Sequence, residues 1–561
     1  MRDYLANEVR NIVLMGHSGA GKSSVVEAAL YFTKATDRLG KTIDGTSVMD
    51  NDAEEVKRGL SVYTSIAPVE WKECKINFID TPGYLDYEGE AQCGIAVGDN
   101  ALIVVGAKDG VESGTEKAWK IVTRKKLPTI FFINKIDEEN ASFDQTYNQL
   151  REHFGKTVIP FEVPIQREGK VVGSVNILRK KAWYYDDRTT PKEVPDELKD
   201  IVEEYYSQIA EAIAMADDEL MEKFFSGESF SYAEIMQGLR KGVKDGTMVP
   251  VLCGSALTGM GTMALINAII DMAPNPTEAP TQIVTDAEGE PSEFVTAPGA
   301  MPAALVFKTT ADQYGKYSYV KVYSGTLTPD LALVDVTTGN TEKLGRLYVM
   351  RGKKAIEVKE LTCGDIGAIA KMDKVKTGDT LCDGRHVIKF EGVPFAEPNY
   401  AKAIAPKTRG QEDKVAAGLL RLNEEDPSFS ITNNAEGKKF TATFTVDKGL
   451  SDYWLPMAGA ASSVTFDNSE NSDSFYYNSD TMSAIYPSRT SEGLTYTETG
   501  IMPMVPTDKQ IAKTDAAAIS QPKAEDVPDC VDKLATAIAG GQSKGGEAAQ
   551  ALAEKLKESG W

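Results

Sequence analysis

The stretch Gly16-His17-Ser18-Gly19-Ala20-Gly21-Lys22-Ser23 constrains this chain more than any other because of what lies on either side of it. An apolar run, NIVLM, leads into it, and the helical pattern KSSVVEAALYFTK starts within it. A glycine-rich turn between a buried strand and a helix N-terminus lets consecutive backbone N–H groups wrap a polyphosphate. Lys22 would reach the outer phosphates and Ser23 would ligate a magnesium ion. A chain built this way needs a parallel sheet with crossover helices. INFID (76–80), ALIVVGA (101–107), TIFFINK (129–135) and PVLCGS (250–255) supply further strands, each apolar enough to be buried on both faces.

Two of those strands end in residues that extend the chemistry. Asp80-Thr81-Pro82-Gly83 closes INFID, 58 residues after Lys22. There Asp80 would hold a magnesium-bound water and the Gly83 amide would point at a terminal phosphate. Asn134-Lys135-Ile136-Asp137 closes the next strand but one and selects the base. The Asp137 carboxylate accepts two hydrogen bonds from the N1 and N2 donors of guanine, a pair that adenine lacks. Ser255-Ala256-Leu257, after the last strand, supplies a backbone N–H for the guanine O6. The ordered set specifies GTP and GDP as ligands with Mg2+ as the metal, more strongly than any one motif does.

With 561 residues, 42% hydrophobic and 26% charged, the chain has material for several cores and cannot be globally disordered. The alternating pattern fills 1–278, with 158–249 as an inserted subdomain: a hairpin-like VPIQREGKVVGSVNI followed by acidic helices, too long for a loop. Beyond the linker APNPTEAPT, strands separated by Gly, Asp and Asn turns suggest a small β-barrel at 295–385, and 397–437 begins another α+β unit. Residues 440–561 form an unassigned tail, with a possible small β region around Phe475-Tyr476-Tyr477 and a terminal helix, EAAQALAEKLKE. A net charge of -22, from 61 basic and 83 acidic residues, excludes an undirected grip on nucleic acid, so DNA is not expected as a partner. The six cysteines are scattered without a close pair, which fits neither a disulfide framework nor a zinc site. No apolar stretch approaches the roughly 20 residues of a spanning helix, and the expectation is a cytoplasmic monomer away from membranes.

On these motifs the chain resembles the translational GTPases of the elongation factor G type, over about residues 8–435. Further matching stretches are PDELKDIVEEYYSQIAEAIAMADDELMEKFF in the inserted subdomain, VYSGTL, GRLYVM and TGDTLCD in the barrel, and LLRLNEEDPSFSI after it. The resemblance implies a multidomain α/β + β architecture: a P-loop GTPase domain, a translation-factor barrel and a partial ferredoxin-like unit. It also implies a ribosome-bound GTPase touching ribosomal RNA and stalk proteins, with Lys22 and Gly83 in its catalytic machinery. Arg58-Gly59-Leu60-Ser61-Val62 stands where the family usually reads RGITI, so Ser61 would take the threonine's place on magnesium. Gly19 stands where the family commonly has aspartate. Tyr84 stands where the family places a water-positioning histidine, and a phenol with a pKa near 10 cannot act as an imidazolium, so slow hydrolysis is expected.

The family's remaining domains find no counterpart in the tail. Its 9 basic and 17 acidic residues suit ribosomal RNA poorly. The readings that follow are a GTP-hydrolysing translation factor, truncated or fused at its carboxyl end; a non-catalytic GTP-dependent ribosome-binding or regulatory module, or a ribosome-splitting factor; and a rearranged paralogue without function.

Overall fold

The computed structural model describes residues 2–396 except 216, 229, 313–314 and 373, then 404 and 411–431, and beyond these only the backbone of strands between 438 and 502. Residues 1–431 form one compact unit and 432–561 a second.

The core of the first unit is a seven-stranded sheet in the order β2-β3-β1-β4-β5-β11-β6. Its strands are β1 (Val9–Met15), β2 (Ser65–Trp71), β3 (Cys74–Asp80), β4 (Asn100–Gly106), β5 (Thr129–Asn134), β6 (Val158–Pro160) and β11 (Val249–Cys253). All pairings are parallel except β2 with β3. Every residue of β1, β3, β4 and β5 is buried, which accounts for their largely apolar runs, and among the polar exceptions Asn11, Lys75 and Asn77 bond Gly364 and Asp365 of the β region. The helices of this domain outside the insertion are α1 (Lys22–Phe32), α2 (Ala53–Arg58), α3 (Glu88–Val97), α4 (Ser113–Lys125), α5 (Phe143–Phe154) and α9 (Thr262–Met272).

Between β6 and β11 the insertion folds as a four-stranded antiparallel sheet, β7 (Glu162–Arg167), β8 (Lys170–Asn176), β9 (Lys181–Tyr184) and β10 (Asp187–Lys192), followed by α6 (Lys199–Ala214), α7 (Asp218–Phe225) and α8 (Tyr232–Lys244). The hairpin-like stretch of the sequence is β7 and β8 in register, Val163 opposite Val175.

From Gln282 to Phe390 the described elements are all strands. β12 (Gln282–Asp286), β13 (Pro291–Phe294) and β24 (Ile388–Phe390) form a small sheet. An eight-stranded sheet runs β18-β17-β23-β14-β15-β22-β19-β20. Its strands are β14 (Ala303–Asp312), β15 (Gly315–Ser324), β17 (Ala332–Asp335), β18 (Thr341–Lys343), β19 (Leu347–Arg351), β20 (Lys354–Val358), β22 (Ile366–Ala370) and β23 (Thr380–Cys382), with the short pair β16 (Thr326–Leu327) and β21 (Leu361–Thr362) beside it. Val306, Val320, Val322, Leu347, Leu361, Ile369 and Leu381 fill a separate core.

Three lysines dock this β region on the nucleotide domain. Lys75 on β3 bonds both carboxylate oxygens of Asp365 at 2.7 Å, Lys321 on β15 pairs with Asp99, and Lys308 on β14 pairs with Glu90 of α3 at 2.6 Å. All three lysines are buried. After the β region comes α10 (Glu412–Glu425), whose Glu424 reaches Lys316 at 3.3 Å. Of the α+β unit expected at 397–437, residues 397–403, 405–410 and 432–437 lie outside the described residues.

In the second unit the backbone forms two small antiparallel sheets, β25 (Lys438–Thr445), β30 (Thr495–Met502) and β27 (Ala460–Phe466), and β26 (Trp454–Leu455), β29 (Ser483–Ile485) and β28 (Tyr476–Asn478). The expected terminal helix lies outside the described residues. No described helix is long and apolar enough to cross a membrane.

Candidate functional site

The glycine-rich loop leaves β1 at Met15 and enters α1 through Gly21, whose φ of 95° is left-handed. A Cβ on Gly21 would lie 2.3 Å from the amide of Asn134. Both the conformation and the space therefore require glycine. Lys22 is buried and its Nζ donates to the carbonyls of Gly16 (3.2 Å) and His17 (3.1 Å), which folds the loop around the lysine. His17 is tied outward: its Nδ1 accepts from the Gly114 amide at 3.2 Å and its Nε2 lies 3.4 Å from Glu112. Gly83 packs on the same loop so closely that an added Cβ would meet Lys22 Nζ at 2.4 Å and the Ser18 nitrogen at 2.8 Å. Thr81 holds this turn against β1 by donating to the Leu14 carbonyl at 2.6 Å.

Beside the lysine, the three residues expected on a metal meet. Ser23 Oγ and Ser61 Oγ are 3.1 Å apart, and Ser23 also donates to Asp50 Oδ1 at 3.4 Å and bonds Asp80. Asp80 Oδ1 is buried without a partner among the described residues. Burial, with Asp50 beside it, pushes the Asp80 carboxyl up to about 8, while Ser23 and Lys22 act the other way. Burial likewise draws the Lys22 ammonium below the usual lysine range. Two hydroxyls, two carboxylates and an unfilled carboxylate oxygen are a hard-oxygen donor set, the kind magnesium takes from protein when phosphates and waters complete its shell.

Asp50 joins them without a sequence signal of its own, since nothing between α1 and α2 carries a pattern. Buried Glu27 anchors its loop by accepting from Ser47 Oγ at 2.8 Å and from the Val48 and Met49 amides at 2.5 and 3.0 Å. Thr42 bonds the other Asp50 oxygen at 2.6 Å. The segment with Ser61 is held from both sides. Glu55 Oε1 accepts from the Val62 and Tyr63 amides at 3.1 and 3.0 Å. Glu90 Oε2 accepts from the Thr64 amide at 2.8 Å and from Lys308, which also donates to the Thr64 carbonyl at 3.0 Å.

At the other end, Asn134 bridges two loops: its amide donates to the Ala20 carbonyl at 2.9 Å and its Oδ1 accepts from the Ala256 amide at 3.0 Å. The Ser255 amide is bonded to the Met260 carbonyl at 2.9 Å, while Leu257 stands exposed at the tip of the turn. Lys135 adopts φ 65° and its Nζ lies 3.5 Å from Glu138. Asp137 is exposed on the same side, and Gly19 is exposed at the loop's crest. Tyr84 is 44% exposed and its hydroxyl meets no hydrogen-bonding partner among the described residues. The structure thus gathers Lys22, Ser23, Ser61, Asp80 and Gly83 into one cluster and Asn134 with Ala256 into a second, joined by the loop, and leaves Tyr84 outside both.

Comparison with known proteins agrees with this layout domain by domain. Residues 7–275 match the family model for the elongation factor Tu GTP binding domain, 301–384 that for elongation factor G domain 2, and 395–442 that for elongation factor G domain III. The chain belongs to the elongation factor G family. It is similar to a solved protein from Thermus thermophilus, with 30% identity and a TM-score of 0.68 over 77% of this chain. It covers 63% of that protein's length, so the two are not equivalent end to end. Within the elongation factor G arrangement, the carboxylates of Glu27, Glu55 and Glu90 hold the loops that carry Asp50 and Ser61.

Proposed function

We propose that this protein is a GTP-dependent, ribosome-binding factor of the elongation factor G type, in which bound GTP and magnesium fix the Ser61 segment and the β region reads out that state. The observation that carries the reading is the convergence of Ser23, Ser61 and Asp80 beside Lys22, with Asp80 Oδ1 buried and unbonded. Lys22 would hold the outer phosphates through the donors it now gives to Gly16 and His17, and the Gly83 amide would meet the terminal phosphate. Ser23, Ser61 and Asp80, the last through water, would hold the magnesium ion. That ion supplies neutralisation of charge on the phosphate oxygens. Asp137 would select guanine, and the Ser255-Ala256-Leu257 turn would present backbone N–H to O6.

Release of the Ser61 segment would pass to the β region through Thr64, Glu90 and Lys308, which are already bonded to one another. This is an order-to-disorder switch with a built-in connection to a second domain. In this reading residues 1–278, 295–385 and 397–437 act as nucleotide, barrel and third domains, and the ribosome, through its RNA and stalk proteins, is the partner.

A second reading rests on Tyr84. With its phenol exposed, no hydrogen bond from a described residue aims it at a water beside a terminal phosphate, which favours occupancy rather than turnover as the signal. Single-turnover hydrolysis of radiolabelled GTP with and without ribosomes separates the two. Stimulation by ribosomes supports the switching GTPase; bound but uncleaved GTP in both arms supports the non-catalytic module. Absence of GTP binding refutes both.

A further inference from the structure

A cavity of about 340 Å³ lies away from the phosphate loop, between the inserted subdomain and the nucleotide domain. Its roof is β7 to β9 with α8; its floor is the end of β11 and the face of α9. The floor residues Gly259, Gly261, Ala264 and Ala268 are small and leave space beneath the large roof residues Trp183, Tyr184 and Tyr232. Phe161, Leu239, Leu252 and Met272 make much of the remaining wall apolar. The volume falls in the range of pockets that enclose small organic molecules.

One polar group stands out in that wall. Glu162 is only 4% exposed, yet among the described residues no lysine, arginine or histidine pairs with it. Its hydrogen-bond partners are the neutral Ser174, whose Oγ is 3.4 Å from Oε2, and Asn176. Lys72 and Arg179 also line the cavity without bridging to Glu162. Burial pushes the carboxyl up to about 7. A buried carboxylate without a cation is costly, and a ligand that brings the cation relieves that cost. The Trp183 and Tyr232 rings suit a flat body and the attraction of a cation to an aromatic face, while the Tyr184 ring already has Arg167 and Lys192 over it.

We propose that this cavity is a binding site for a small aromatic amine, its ring held among Trp183, Tyr184 and Tyr232 and its ammonium group paired with Glu162. No step of the GTP cycle depends on it, so the proposal stands or falls apart from the nucleotide reading.

The test uses the full chain with tryptamine and tryptophol, which share an indole and a two-carbon arm and differ in ammonium against hydroxyl. Titration calorimetry near pH 7.5 should show saturable binding of tryptamine at least tenfold tighter than that of tryptophol. Glu162→Gln should bring the two within about twofold, since the amide removes only the charge. Ala268→Trp, which fills the floor, should abolish both. Equal affinities of the two probes for the parent protein, no saturable binding of either, or binding of tryptamine that survives Ala268→Trp would each overturn the assignment. The comparison of probes on the parent needs no variant to fold.

Discussion

Replacing Lys308 by methionine keeps the length of the side chain and removes its charge at the junction of three elements. Lys308 is 4% exposed and bonds both Glu90 and the Thr64 carbonyl, so the change leaves a carboxylate and a carbonyl without their shared donor. Glu90 retains only the Thr64 amide, at 2.8 Å. Removing one member of a buried ion pair costs about 3–5 kcal/mol, and the partial exposure of Glu90 places this case at the lower end, about 3 kcal/mol. The loss should be local, because Lys75–Asp365 and Lys321–Asp99 still dock the β region. Hydrogen–deuterium exchange should accelerate by roughly a hundredfold at residues 61–64 and along 303–310, at about 1.4 kcal/mol per decade, with 129–134 unchanged. The double variant Glu90→Gln, Lys308→Met should recover much of the protection, since no unpaired charge remains. Unchanged exchange at 61–64 in Lys308→Met would refute the connection between the Ser61 segment and the barrel.

Asp137→Asn should shift preference from GTP toward xanthosine triphosphate in a competition assay, as the amide mismatches guanine N1–H. Asn134→Ala leaves the Ala20 carbonyl and the Ala256 amide unbonded, and should weaken GTP and GDP alike by about 1–3 kcal/mol in calorimetry. Tyr84→His should raise ribosome-stimulated GTP hydrolysis; a tenfold gain is about 1.4 kcal/mol of barrier, measured in single turnover. Glu162 titrates near 7 in the folded chain and in the ordinary glutamate range when unfolded, so folding binds a proton between those values. Its contribution is full at low pH and lost as pH rises through 7, to about 3 kcal/mol at about 1.4 per pH unit. Glu162→Gln should therefore gain thermal stability over the parent at pH 8 and little at pH 5.

The strands and the phosphate loop were legible in the sequence because their signals are local: buried parallel strands read as apolar runs, and Gly16–Ser23, Asp80–Gly83 and Asn134–Asp137 each sit where one of them ends. Asp50 was not legible, because the loop between α1 and α2 has no period and its geometry is set by Glu27, a residue that reads as the polar face of a helix. Lys308, Lys321 and Lys75 look like the solvent side of alternating strands; they are buried only because one domain covers another, and Lys308 meets Glu90 across 218 residues of sequence. The cavity beside Glu162 arises from packing of the Gly259–Gly261 turn and the Ala264 and Ala268 positions of α9 against an inserted sheet, which no single segment announces. The asparagine of the guanine motif was expected to serve the base, yet in the structure it spans the Ala20 and Ala256 loops, a role that only the fold reveals.

Ribosome co-sedimentation of the purified full-length protein tests the central claim most directly, run with a non-hydrolysable GTP analogue, with GDP and with the matching ATP analogue. The GTP analogue should carry the protein into the ribosomal pellet, with GDP and the ATP analogue leaving most of it in the supernatant. Equal pelleting in all three conditions, or none in any, would contradict a GTP-switched ribosome-binding factor.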